Sequence, residues 1–123
     1  MAFLSIADEI RKEYKRHSYL LDDSDITEGV KERYSSLLNM KADHVTYARA
    51  VAFLSECLEA FHKQKVIILL DEYDVPLENA YFNDFYNEMV SFIRSLFESA
   101  LKTNESLKMA VVTGCLRISR ESI

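Results

Sequence analysis

Apolar positions in the first half of the chain recur at intervals of three and four residues. Phe3, Ile6, Ala7, Ile10 and Tyr14 share one side of a helical repeat, while Asp8, Glu9, Arg11 and Lys12 fall on the other. The pattern predicts a first helix over about residues 2–17. The polar stretch Leu21-Asp22-Asp23-Ser24 then breaks the rhythm. Asp25 with Glu28 resembles an N-terminal cap and opens a shorter helix carrying Ile26, Val30, Tyr34 and Leu37, with Gly29 as a weak point inside it. Asp43 is placed to cap the next helix. Its stripe is Tyr47, Val51, Leu54, Leu58 and Phe61, and His62, Lys63 and Lys65 give it a basic end that complements the helix dipole.

The rhythm changes at Val66-Ile67-Ile68-Leu69-Leu70, an unbroken apolar run rich in β-branched residues. Such a run suits a strand buried on both faces of a parallel sheet. Beyond it, Pro76 blocks continuation of the strand. The segment carrying Phe82, Phe85, Tyr86, Met89, Val90, Ile93, Leu96, Phe97, Ala100 and Leu101 is the strongest helical pattern in the chain, and Thr103-Asn104 marks its end. Met109-Ala110-Val111-Val112-Thr113 reads as a second strand, closed by Gly114. Strand, long helix and strand make a βαβ unit, whose strands pair in parallel with a right-handed crossover. The expectation is therefore a helix-rich α/β chain with about four helices and two parallel strands, over about 66–71 and 108–113.

A chain of 123 residues is at most one domain, and 49% apolar with 28% charged residues is ordinary for a globular protein. The net charge of −5 gives no basic footprint for nucleic acid. No apolar stretch reaches the length of a membrane span and no secretory leader is visible, so a cytoplasmic location is expected. Cys57 and Cys115 have no metal-ligand spacing and read as small buried hydrophobes in a reducing compartment. His17, His44 and His62 are scattered, without companions at metal-ligand spacing. The charge run Glu9–Arg16 reads as a solvated helix face, and the aromatic set Tyr81, Phe82, Phe85, Tyr86, Phe92 and Phe97 as core packing. Two glycines and one proline are few for a complete α/β domain. This shortage points to a mostly helical piece or to part of a larger fold.

The candidate chemistry lies where the first apolar run opens into Asp71-Glu72-Tyr73-Asp74. Carboxylates at the C-terminal end of a parallel strand sit where open α/β sheets bind ligands. An apolar strand ending in Asp-Glu is the Walker B pattern, in which the Asp helps to hold Mg²⁺ and the Glu can polarise an attacking water. The competing reading is a pair of solvated or salt-bridged acids at a strand end. Asp74 suits a turn ahead of Pro76. Thr113, ending the second strand, is a candidate for the sensor-like hydroxyl beside a γ-phosphate, or simply a strand-ending residue; Arg117 is a candidate phosphate contact, or a rim charge. The partner motif G-x-x-x-x-G-K-[ST] does not occur: neither Gly29 nor Gly114 is followed by Lys-Ser or Lys-Thr. A nuclease of the PD-(D/E)xK type is excluded for this segment, because the second strand carries no acid.

Three segments together, V-I-I-L-L-D-E-Y-D-V-P-L-E-N-A, F-I-R-S-L-F-E-S-A-L-K-T-N and A-V-V-T-G-C-L-R-I-S-R-E-S-I, resemble the bacterial AAA-ATPase-like proteins, a group of P-loop proteins. The resemblance covers essentially the whole chain but only the middle of that family's ATPase domain. It implies a helix-rich fragment of a three-layer P-loop core, residues 1–123 being one partial domain. A phosphate-loop segment, rich in R-P-R-R-F-G-K-T-like sequence, is expected before Met1, and an S-G-L-N-N-like segment, often with a nuclease-like domain further on, after Ile123. Carried over by position, Asp71 is the Mg²⁺-side acid, Glu72 the water-activating base, Thr113 the sensor-like hydroxyl and Arg117 a phosphate-responsive residue. Mg²⁺ and ATP are implied for the intact parent, and neither is expected to be held by this chain alone. The alternative from another class is a non-enzymatic helical assembly module in which the acids are structural. Two short strands leave open edges, so self-association by edge pairing or helix exchange is expected, with no membrane or nucleic-acid partner.

Overall fold

The structure, a computed structural model, describes residues 2–72 and 86–114. Helix α1 spans Ala2–Arg16 and is followed by a 3₁₀ turn, Ser18–Asp22, which buries Leu20. Helix α2 spans Glu28–Leu38, α3 spans His44–Ala48 and α4 spans Ala50–His62. Strand β1, Val66–Leu70, comes next; then α5, Tyr86–Phe97, continues into a π-helical turn, Glu98–Lys102, before strand β2, Leu107–Val112. The helix-rich α/β expectation holds.

Helix ends follow side-chain capping more closely than hydrophobic period. Asp43 caps α3 as expected, its carboxylate accepting the Thr46 backbone N–H at 2.8 Å. Bonds from the Thr46 hydroxyl and amide hold that carboxyl below its usual range. The expected Asp25 cap is not used. Thr27 caps α2 instead, with its hydroxyl accepting from Val30 N–H at 3.3 Å, and Ile26 lies outside the helix. Asp23 is occupied elsewhere, its side chain accepting the Asp25 N–H in a local turn. The single helix expected from Asp43 onward is broken at Arg49, whose φ of −103° and ψ of 5° leave the helical region. That break makes five α-helices among the described residues where about four were expected. Helix α4 stops at Lys63, in the left-handed region at φ 61°, whose N–H returns to Glu59 O at 2.8 Å.

The core is built chiefly by the helices. Ile6, Ala7, Ile10 and Tyr14 of α1 meet Tyr34 and Leu37 of α2, Tyr47, Ala50, Phe53 and Leu54 of α3 and α4, and Met89, Val90 and Ile93 of α5. Phe92 and Phe97 pack against this cluster, as expected for them, while Tyr81, Phe82 and Phe85 lie outside the described residues. At its centre, the Tyr14 and Tyr34 rings lie 4.6 Å apart. Tyr14 Oη donates to Ala50 O at 2.5 Å, and Tyr34 Oη donates to Tyr14 O at 2.6 Å. The two phenols thus join α1, α2 and α4 through main-chain acceptors. Burial pushes both hydroxyls well above the usual tyrosine range, so they remain neutral donors. Cys57 packs against the same core, and burial raises its thiol to about 11, matching the inert reading. The charged residues of the run Glu9–Arg16 face solvent, with ion pairs such as Arg16–Glu13 at 3.3 Å along that face, while Ile10 and Tyr14 within the run point to the core.

Strands β1 and β2 pair in parallel, with Ile68 beside Ala110 and Leu70 beside Val112. The expectation of burial on both faces is overturned. Ile68 is 9% exposed, whereas Ile67 is 55% and Leu69 72% exposed. Successive side chains of a strand point to opposite faces, so only the face packed against α4 is covered among the described residues. Met109 and Val111, the register partners of Ile67 and Leu69, share the open face and are also exposed.

Replacing Tyr34 by Phe removes one buried hydrogen bond at almost constant shape. The expected cost is about 1–2 kcal/mol in chemical denaturation, with the slope of the transition unchanged. A loss below a few tenths of a kcal/mol would show that the phenol pair does not hold the three helices together.

Candidate functional site

Parallel strands end at the same edge of a sheet, and β1 and β2 both end at the candidate residues. Leu70 pairs with Val112, so Asp71 and Thr113 follow side by side. The Thr113 N–H donates to Leu70 O at 2.8 Å, adding one rung beyond the strand. The Thr113 hydroxyl donates to Asp71 Oδ1. Two residues 42 positions apart in sequence are thereby fastened at the C-terminal edge of the sheet. The strand ends lie one residue earlier than expected, at Leu70 and Val112, leaving Asp71 and Thr113 just outside the regular ladder.

Glu72 is the neighbour of this pair and takes a left-handed backbone conformation, φ 54°. A residue with a Cβ loses roughly 1–2 kcal/mol in that region. The chain bends at Glu72, and does so without glycine. Asp71, Glu72 and Thr113 are all exposed to solvent. Arg117, Asp74 and Cys115 lie outside the described residues.

The donors at this edge are hard oxygens: Oδ2 of Asp71, the Thr113 hydroxyl and the neighbouring carboxylate of Glu72. That set fits Mg²⁺, which binds through one or two carboxylates and leaves its other positions to water and phosphate. It does not suit a soft metal, and no group of three or more His, Cys, Asp or Glu side chains able to hold an ion occurs among the described residues. A groove of about 720 Å³ lies elsewhere, between α4 and the end of α5, lined by Arg33, Arg49, Glu56, Glu98 and Ser106 among others. Asp71, Glu72 and Thr113 do not line it.

A family model described as "Predicted AAA-ATPase" matches residues 4–123. The chain belongs to that family. No curated protein and no solved structure is significantly similar to it. In this AAA-ATPase-family chain, the residues drawn from strand patterning are brought together as a pair, Asp71 with Thr113. Sequence reasoning assigned them separate roles and missed the bond between them. The signal that finds it is the alignment of the runs Leu69-Leu70-Asp71 and Val111-Val112-Thr113 as parallel neighbours. The left-handed backbone of Glu72 had no sequence signal, because glutamate is not a residue that marks such a turn.

Two substitutions separate backbone from side chain at this edge. Glu72→Gly is expected to raise stability by about 1 kcal/mol through relief of the left-handed strain, measured by thermal or denaturant melting. Thr113→Val is expected to change stability by no more than about 0.5 kcal/mol, since the contact is exposed, while shifting the Asp71 carboxyl ¹³C resonance. A destabilised Glu72→Gly protein would mean that the Glu72 side chain makes stabilising contacts that outweigh the strain.

Proposed function

We propose that this chain carries the magnesium-side and water-activating half of an ATP-hydrolysing site. The observation that supports the reading best is the Thr113–Asp71 pairing at the C-terminal edge of two parallel strands, within a family of AAA-ATPases. In this proposal Asp71 is the Walker B acid, Glu72 the general base for water, Thr113 the sensor-like hydroxyl and Arg117 a phosphate-responsive cation. Bound ATP with Mg²⁺ supplies the reacting phosphoanhydride and the positive charge that balances it. Asp71 would be held in place by its bond from Thr113, with Oδ2 as the oxygen that would meet Mg²⁺. Glu72, placed one residue on by the left-handed turn, would hold and deprotonate the attacking water at a carboxylate oxygen. A cytoplasmic setting suits this chemistry, and among the described residues no helix is long and apolar enough to cross a membrane.

Phosphate binding in such sites comes mostly from loop backbone N–H groups and a loop lysine. The 123 residues contain no G-x-x-x-x-G-K-[ST] stretch. The chain by itself is therefore expected to bind Mg·ATP very weakly and to be inactive; a calorimetric titration giving micromolar affinity would overturn this. In a protein that joins this chain to a family phosphate loop, Glu72→Gln should lower turnover by about 10²-fold or more with nucleotide binding retained. Asp71→Asn should weaken the Mg²⁺ dependence. Parental turnover in Glu72→Gln would remove Glu72 as the base.

A second reading, a helical assembly module, is favoured by the open sheet face. Ile67, Leu69, Met109 and Val111 form an exposed apolar patch on a sheet that, among the described residues, has two strands and so two edges without a further strand. We propose that the chain self-associates through these edges or by helix exchange. Light scattering over a concentration series should show a mass above that of a monomer, rising with concentration. A monomeric mass at the highest concentration, with a cooperative melt, would show instead that the chain closes its own core.

A further inference from the structure

The groove of about 720 Å³ between α4 and the end of α5 stands apart from the Asp71–Thr113 edge. Two irregular backbone segments border it, the break at Arg49 and the π-helical turn Glu98–Lys102. They are joined where the Ser99 hydroxyl donates to Ala48 O at 2.7 Å. Helical irregularities of the π type recur at functional sites. Residues 49, 52, 56 and 59 line the groove as one stripe of α4, so it extends for about 15 Å along that helix.

Six charged side chains line the groove: Glu56 and Glu59 of α4, Glu98 of the π turn, Glu105 before β2, and Arg33 and Arg49. None of the six makes an ion pair among the described residues. The pairs found there lie along α1 and the His17 that follows it, or within α2. Four acids thus face two bases in the groove, and no carboxylate is neutralised by a direct partner. The acids are spread along the groove, and among the described residues no three of them meet as a group able to hold an ion. An extended cation fits this layout better than a single ion does.

Ser106 also lines the groove and is only 5% exposed. Its backbone is held on both sides, the N–H donating to Asn104 Oδ1 at 3.0 Å and the carbonyl accepting from Val66 N–H at 2.8 Å. Its hydroxyl has no hydrogen-bond partner among the described residues, and a buried hydroxyl left so costs the fold stability. Arg33 lays its guanidinium over the Phe53 ring, with Cζ 5.0 Å from the ring centre. The apolar lining therefore already receives one arginine head. A lysine or arginine side chain joins an apolar stem to a cationic head. The stem suits Ala48, Ala52 and Phe53, the head suits the unpaired carboxylates, and its N–H groups suit the Ser106 oxygen.

We propose that this groove docks a polypeptide segment of another protein that carries several lysines or arginines. Docking sets the cationic heads against Glu56, Glu59, Glu98 and Glu105 and lays the stems along α4. Arg33 and Arg49 fix the spacing of the basic residues, because a cation placed against either is repelled. Charge complementarity favours such a partner over a second copy: the chain is itself acidic, at net −5, and two acidic grooves repel.

The whole chain is titrated with a blocked peptide of alternating arginine and alanine, and with its counterpart carrying glutamate for arginine. Proton–nitrogen correlation spectra locate the contact and calorimetry measures the affinity. The arginine peptide is expected to shift the amides of Ala52, Glu56 and Ser106, and the glutamate peptide to leave them in place. Glu56→Gln combined with Glu98→Gln should weaken the arginine peptide about ten-fold, through the loss of two charge-assisted contacts. Both residues are exposed, so the variant keeps the fold. Glu9→Gln combined with Glu13→Gln removes the same charge from α1 and should change the affinity less than about two-fold. Ser106→Ala should weaken the peptide about five-fold, the effect of one ordinary hydrogen bond, without lowering the melting temperature. Equal weakening by the two double substitutions would reduce the binding to general attraction between opposite charges and overturn the proposal. Absence of shifts at the groove, or shifts there with the glutamate peptide, would overturn it as well.

Discussion

Parallel pairing of Val66–Leu70 with Leu107–Val112 is the constraint on which the candidate site depends. Antiparallel strands would place the end of one beside the start of the other. Parallel strands bring both C-terminal ends to one edge and demand a long crossover, which here contains α5. The register then decides which side chains meet. With Leu70 beside Val112, Asp71 and Thr113 become neighbours, and a hydroxyl and a carboxylate from distant parts of the chain are bonded. A one-residue slip would turn Thr113 to the other face of the sheet and break the pair.

The position of that sheet depends in turn on the helices. Tyr14 and Tyr34 bond to main-chain oxygens of Ala50 and Tyr14, so that α1, α2 and α4 are joined by directional bonds inside an otherwise apolar cluster. Apolar burial supplies the larger share of stability, at about 1.5–3 kcal/mol for each fully buried large side chain. It is non-directional, and the phenol bonds supply the alignment that it lacks. On the other flank of α4, the Ser99 hydroxyl donates to Ala48 O at 2.7 Å, meeting a carbonyl at the break between α3 and α4. The break at Arg49 and the π-helical turn after α5 are thus linked. The π turn also satisfies its own end, since Thr103 N–H reaches Glu98 O at 3.2 Å.

The edge of the sheet combines a relaxed element and a strained one. Asp71 and Thr113 satisfy each other in solvent, where their bond contributes little to stability. Glu72 carries a backbone conformation that glycine would hold more easily. Local strain of this kind collects at functional sites, where the geometry of a side chain outweighs its cost to the fold. The open face bearing Ile67 and Leu69 belongs to the same picture: the described part of this family domain presents the Asp71–Thr113 edge and an exposed sheet face together.

Local chemistry was legible in the residue order. The spacing of Phe3 to Tyr14 marked α1, Asp43 marked a cap, the apolar run from Val66 marked β1 to within one residue, and Thr103-Asn104 marked the end of the helix before β2. These features arise from interactions within a few residues, which a pattern records. The Thr27 cap and the break at Arg49 were less legible, because neighbouring polar groups compete for the same backbone donors and packing selects among them. Asp71, Glu72 and Thr113 were nameable from the sequence as chemical types at strand ends. Tertiary structure alone decided that Asp71 and Thr113 touch, that Glu72 is left-handed and that one face of β1 is open. Each of these depends on register or on contacts between residues tens of positions apart, and side-chain period along the chain carries no information about either.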